Sequence, residues 1–214
     1  MPWIRTSHLL PVYETIVSMK AMPDGLPSTF TTKAARLAGV HPRDLYAWRD
    51  DGAVIELSRG VFRRADAAAA SYPDLLAVTS RVPRAIVCCV SAAAVHDLTD
   101  ELVASVQIAV PKRDRVPKID YPPTIAFRFD ESTFELGLSA VEAAPGETVR
   151  VYDPARTVVD LMRLRHRFGE PAAHSALHRY LLRRDAKPAL LLEYAEALDV
   201  LKPMRLAVDV ASAR

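Results

Sequence analysis

The strongest chemical pattern in the chain lies between Lys33 and Gly52, in KAARLAGVHPRDLYAWRDDG. Arg43, Tyr46 and Arg49 recur at three-residue steps, and so do Leu45 and Trp48. On a helix this spacing separates a polar face from an apolar one. Arginine can bond guanine O6 and N7 together, and tyrosine offers a hydroxyl and a ring edge to a phosphate or a thymine methyl. The pattern is that of a duplex reader, with Arg43 in the first turn, where side chains reach base edges first. A helical hairpin that only packs is the alternative. Asp50 and Asp51 favour it, because they would repel phosphates near the backbone. Both lie at the C-terminal end of the helix, which points out of a groove.

The elements that must position these residues are legible on either side. Thr31 or Thr32 can cap a helix over TTKAARLAG, whose small inner face is Ala34, Ala35, Leu37 and Ala38. Thr31, Thr32 and Lys33 also place hydroxyls and N–H groups where a phosphate could be held. Gly39 suits the position after the helix. Pro42 suits the first residue of the next, and Gly52 ends it. AVIELSRGVFRR then reads as a hairpin turning at Ser58-Arg59-Gly60, with Arg59, Arg63 and Arg64 placed to track a minor groove. A further helix is expected earlier, from Leu9, Val12, Ile16 and Met19. Helix, helix, turn, helix, hairpin is the order of a winged helix-turn-helix, assigned to residues 1–70.

RADAAAASYPDLL is low in complexity and reads as a link. Beyond it, residues 71–214 suggest a mixed α/β domain, strands first and helices after, so the whole chain is expected to be α+β. DLLAVTSRV is a helix and AIVCCVS a buried strand. SAAAVHDL is a short helix capped by Ser91. SVQIAVP and TIAFRF are strands on either side of the loop PKRDRVPKIDYPP. GLSAVEAAPGETVRVYD is a hairpin turning at Pro145-Gly146. From Pro154 the pattern is helical.

Other reactive residue types occur in weaker arrangements. His174 and His178, four apart, could ligate zinc, but no third ligand stands at a recognised spacing. His96 and Asp97 are adjacent and would not face each other on a helix; a structural histidine ending its helix is the simpler account. Ser91 lacks an evident base. Asp153 can cap the helix that starts at Pro154, and Arg156 with Asp160 makes an i,i+4 pair suited to fixing that helix on a sheet. Arg163, Arg165, Arg167, Arg179, Arg183 and Arg184 fall on two successive helices. They admit two readings, solvated faces or a second phosphate-contacting patch.

Composition limits the classes. The chain has 214 residues, half of them hydrophobic, and a net charge of +2. That charge is too small to announce a nucleic-acid protein, but its distribution is uneven. Residues 31–64 hold seven bases and four acids. The two cysteines, Cys88 and Cys89, are neighbours and form no disulfide framework. The expected compartment is cytoplasmic, with no signal peptide, membrane association, metal or cofactor.

Three stretches together resemble the AbiEi-type antitoxins of bacterial type IV toxin–antitoxin systems. The hairpin carries the family's "RG-aromatic" wing as Arg59-Gly60-Val61-Phe62. CVSAAAVHDL is similar to its "SA…HGL" helix through Ser91, Ala92, His96 and Leu98, with Asp97 where glycine is common. VYDPARTVVDLM is similar to its "xPERTLVDL" helix start through Pro154, Arg156, Thr157, Asp160 and Leu161, with Ala155 for the usual glutamate. The pattern resembles a mycobacterial member of that family, with which the Ala- and Arg-rich composition is consistent. The resemblance implies a non-enzymatic repressor that binds inverted repeats in its own promoter, self-associating on that DNA, and an antitoxin that opposes a nucleotidyltransferase-like toxin.

The competing reading is a winged-helix nuclease. Asp130, Glu131, Glu135 and Glu142 supply carboxylates, but no Glu-x-Lys follows to complete a Mg²⁺ site. A protein-binding module is the third possibility.

Overall fold

The computed structural model describes residues 21–212. The expected helix through Leu9, Val12, Ile16 and Met19 lies outside them. The described chain is α+β, with two sheets.

The smaller sheet is built from β1 (Thr29–Thr31), β2 (Val54–Ser58) and β3 (Val61–Arg64), in the antiparallel order β1-β3-β2. Between β1 and β2 run α1 (Thr32–Leu37) and α2 (Pro42–Asp50). Thr31 caps α1, its Oγ1 accepting from the N–H of Ala34 at 3.1 Å. Gly39 and Gly52 follow the two helices at φ +79° and +76°, where a Cβ would be strained. Leu26, Phe30, Ala35, Val40, Leu45, Trp48, Val54 and Phe62 close a core between sheet and helices. The strand β1 was not legible in STFTT, because three residues leave no alternation to read.

The larger sheet is mixed, in the order β6-β5-β4-β8-β7. Its strands are β4 (Ile86–Val87), β5 (Val106–Pro111), β6 (Thr124–Phe129), β7 (Leu138–Ala144) and β8 (Glu147–Tyr152). The β7–β8 hairpin turns at Pro145-Gly146. Alternation sends Val87, Ile108, Val110 and Val151 to one face, against α3 (Pro73–Arg81). Ile86, Ala109, Phe127, Phe129 and Tyr152 face the other way. There they meet α4 (Cys89–Val95), α5 (Pro154–Arg163), α7 (Glu170–Leu181), α8 (Pro188–Ala197) and α9 (Leu201–Ser212). A short α6 (Arg165–Phe168) splits what reads in sequence as one helix with α5.

Two local expectations differ. The strand AIVCCVS stops at Val87, and α4 begins at Cys89, whose φ is +50°. Cys88 rather than Ser91 occupies the N-cap. A fully apolar run does not distinguish a buried strand from a buried helix start, which is how that boundary was missed. Ser91 lies inside α4, where its Oγ accepts from the N–H of Gln107 at 2.9 Å. The Gln107 side chain in turn accepts from the N–H of Val90, pinning α4 to β5.

The segment that reads as a link packs on the larger sheet. Ala70 and Tyr72 lie against its α3 face, as does Leu57 of the small sheet. The Tyr72 N–H donates to the carbonyl of Ala143 at 3.0 Å. Among the described residues no helix is long and apolar enough to cross a membrane.

Candidate nucleic-acid interface

Helix α2 presents the two faces its spacing predicts. His41 caps it, with Nδ1 accepting from the N–H of Arg43 at 3.2 Å, and Pro42 opens it. Leu45 and Trp48 are buried, while Arg43 and Tyr46 are exposed. The Tyr46 ring meets Phe62 edge-on, which fixes its direction. Arg49 lies 5.0 Å above the Tyr46 ring and bonds Asp50 at 2.8 Å and Glu56 at 3.4 Å. Two carboxylates therefore offset the Arg49 charge, whereas Arg43 has no carboxylate partner among the described residues.

The threonines at the start of α1 are engaged within the fold. Thr31 is the cap, and the Thr32 hydroxyl donates to the carbonyl of Gly60 in the hairpin turn. What they do is tie α1 to the hairpin, so that Lys33 and Arg59 stand on a fixed frame.

Of the hairpin arginines, Arg59 is exposed at the turn. Arg64 is paired to Asp66 by two hydrogen bonds of 3.0 and 2.9 Å. Arg63 is 6% exposed and points away from solvent. It bonds Glu147 of β8, the Thr29 hydroxyl at 2.7 Å and the Ala68 carbonyl at 2.5 Å. Its expected role at a minor groove is corrected: Arg63 holds the two sheets together. Sequence could not show this, because Glu147 lies 84 positions away.

Four exposed bases in this region have no side-chain hydrogen bond or ion pair among the described residues: Lys33, Arg36, Arg43 and Arg59. Arg36 was missed as a candidate. Its signal was the three-residue step from Lys33, which places both on one side of α1.

Five of the six C-terminal arginines are engaged by neighbours within the fold. Arg163 is ion-paired with Asp160, nitrogen to oxygen 2.9 Å, and lies 4.4 Å above the Phe129 ring. Arg165 donates to the Met162 carbonyl and faces Glu170. Arg167 covers Phe127, at 4.8 Å. Arg179 is held bidentately by Asp100, and Arg183 by Asp185 together with the His96 carbonyl. Arg184 is exposed. The first five charges therefore brace different neighbours, and Arg184 is the one of the six with no side-chain hydrogen bond, ion pair or ring contact among the described residues.

Asp130, Glu135, Glu142 and His96 also make contacts within the fold. Asp130 pairs with Lys112 and caps the turn Glu131–Thr133; those contacts pull its carboxyl down to about 2. Glu135 pairs with Arg150, and Glu142 accepts from the N–H of Gly146. No group of three His, Cys, Asp or Glu side chains is gathered around a common metal position among the described residues. His96 ends α4, with Nε2 2.7 Å from the Tyr152 carbonyl. Burial pushes its pKa down, with the Tyr152 carbonyl opposing.

The α5 motif is the most deeply buried polar feature. Asp153 caps the helix through the N–H of Arg156 at 2.7 Å. Arg156 and Asp160 are both 0% exposed and bond at 3.0 Å. Arg156 also donates to the carbonyls of Thr133 and Leu136 at 2.8 and 2.7 Å, and its guanidinium stacks 4.3 Å from the Tyr152 ring. Burial pushes the Asp160 carboxyl up, while Arg156 and Arg163 act against that shift. Together these contacts fasten the 131–137 loop, β8 and α5 into one corner.

This arrangement, a small helix-bearing sheet locked to a mixed sheet with helices on both faces, has a solved counterpart. The RV2827C protein from Mycobacterium tuberculosis shares it with a TM-score of 0.54 at 15% identity, over 79% of this chain and 67% of that one. At that identity the likeness is one of fold. The chain matches no protein-family model and no curated protein.

Proposed function

We propose that the chain is a DNA-binding repressor and antitoxin of the AbiEi type, acting by binding rather than catalysis. Residues 29–64 are read as a winged helix-turn-helix, with α2 as the groove helix and the β2–β3 hairpin as the wing. One observation carries the DNA reading. Arg43 stands exposed in the first turn of α2 with no carboxylate partner, above a buried Leu45–Trp48 face. Lys33 and Arg36 on α1 and Arg59 at the hairpin turn are exposed bases that would supply phosphate contacts beside it.

The antitoxin part rests on the three resembling stretches, and the geometry at two of them supports it. Asp97 adopts φ +58°, a conformation that glycine takes most readily, and glycine is what the resembled family has there. Arg156, Thr157 and Asp160, shared with that family, are all fully buried. The mycobacterial source of the structural neighbour is compatible with the reading. Its partners are then promoter DNA carrying inverted repeats and a nucleotidyltransferase-like toxin, with two copies of the chain on one site.

A gel shift with the duplex just upstream of the chain's own gene tests the DNA reading. Retardation of that duplex ahead of a random one of equal length is expected. Equal retardation, or none, overturns it. Coexpression with the neighbouring gene tests the antitoxin part: rescue of growth is expected, and continued toxicity overturns it.

A further inference from the structure

The loop between β5 and β6 carries Lys112, Arg113, Arg115 and Lys118 against two acids, Asp114 and Asp120. All four bases are exposed. Asp114 is taken up by Arg84 at 3.0 Å and Asp120 by Lys118 at 2.8 Å. Arg113 and Arg115 have no side-chain hydrogen bond or ion pair among the described residues.

The position of the loop is what gives this charge meaning. The Ser58 hydroxyl, at the turn of the wing, donates to the carbonyl of Tyr121 at 2.6 Å. Arg81 donates to the carbonyl of Lys118 at 3.1 Å and lies 3.4 Å from the Ser58 hydroxyl. Arg59, next in sequence to Ser58, lies close enough to act electrostatically on Asp120. At its other end the loop is fixed by Arg128, which donates to the carbonyls of Lys112 and Asp114 at 3.1 and 2.6 Å. Its backbone is anchored at both ends while its cationic side chains project outward. Ordered backbone lowers the entropy cost of docking those side chains on a polyanion.

We infer that the 112–118 loop is a second DNA-contacting element, continuing the phosphate track of the wing through Arg113 and Arg115. The inference rests on the DNA-binding reading of α2 and the wing. It assigns to the larger sheet a share of the footprint that contacts phosphate and reads no bases.

The test is fluorescence anisotropy of the full chain on the upstream duplex and on a random duplex, across a NaCl series, for wild type and R113A/R115A. Each neutralised phosphate contributes about 0.9 to the slope of log K against log salt. The double variant should lose about two units of slope, by a similar amount on both duplexes, with its melting temperature unchanged. Wild-type binding with an unaltered slope overturns the role of the loop and leaves the DNA reading intact. A loss confined to the upstream duplex overturns phosphate tracking by showing base readout. Failure of the wild type to bind either duplex overturns the DNA reading and this inference with it.

Discussion

Arg63 on β3 and Glu147 on β8 form an ion pair that joins the two sheets, with side chains 7% and 18% exposed. Glu147 also accepts from the N–H of Thr29 at 2.9 Å, so one carboxylate ties down two strands of the small sheet. Removing one partner of a buried pair strands the other charge, at a cost of about 3 kcal/mol. Arg63→Ala should therefore lower stability by that order in urea melts. Arg59→Ala, at an exposed position, should change stability by less than about 0.5 kcal/mol. The two arginines are four apart in sequence and look equivalent there; equal effects on stability would show that the Arg63–Glu147 pair does not hold the sheets.

Arg43 should discriminate between DNAs where the other bases do not. A bidentate arginine–guanine contact contributes about 1–3 kcal/mol of base discrimination. Arg43→Ala should weaken binding to the upstream duplex about ten- to a hundred-fold and to random duplex only slightly. Lys33→Ala should weaken both alike. Titration of each variant on both duplexes separates the roles, and equal losses for Arg43→Ala would reduce it to a phosphate contact.

What sequence could reveal follows from the range of the interactions. Helix α2 was legible because its signals are local: Pro42 at the start, Gly52 after the end, and Leu45 and Trp48 on one face. The β7–β8 hairpin and the cap at Asp153 were legible for the same reason. The fate of individual charges was not. Arg43, Arg49, Arg59, Arg63 and Arg64 look alike in sequence, yet Glu147 removes Arg63 from the surface. Glu56, seven residues on, offsets Arg49, and Asp66 takes Arg64. The β5–β6 loop was legible as a loop, but its position beside the β2–β3 turn was not, since Ser58 and Tyr121 are 63 residues apart.

The Arg156–Asp160 pair allows a double-mutant cycle. Both side chains are fully buried, and the Arg156 guanidinium also serves two carbonyls. Asp160→Asn leaves Arg156 and Arg163 without their shared carboxylate and should cost about 3–5 kcal/mol. Arg156→Met should cost a similar amount. The double variant should cost less than the sum of the two, because neither charge is then left unpaired. Additive losses, measured by denaturant unfolding, would mean that the pair is not coupled.

Asp97 sits in the left-handed region at the end of α4. The N–H of Leu98 donates to the Ala93 carbonyl at 2.8 Å, and the N–H of Asp97 to that of Ala94 at 3.3 Å, closing the helix. A residue with a Cβ is strained there, and glycine relieves the strain. Asp97→Gly should raise stability by about 0.5–1 kcal/mol, and Asp97→Val should lower it by about 1–2 kcal/mol. Thermal melts of the two variants check the pair of signs.

His96 gives the fold a pH dependence whose sign is fixed by its surroundings. Burial lowers its pKa below the ordinary 6.5; Arg183 lowers it further, and the Tyr152 carbonyl, Asp153 and Asp97 oppose. Below about pH 6.5 the unfolded chain takes up a proton on this ring that the folded chain refuses until the pH reaches the lower, folded value. Stability is therefore unaffected by His96 above 6.5. It falls as pH drops through 6.5, by at most about 1.4 kcal/mol per pH unit, and levels off below the folded pKa. His96→Gln keeps a donor for the Tyr152 carbonyl but cannot take a proton. Urea midpoints at pH 7.5 and 5.5 should fall further apart in the wild type than in His96→Gln. Equal falls would place the acid sensitivity on carboxylates elsewhere and remove His96 from it.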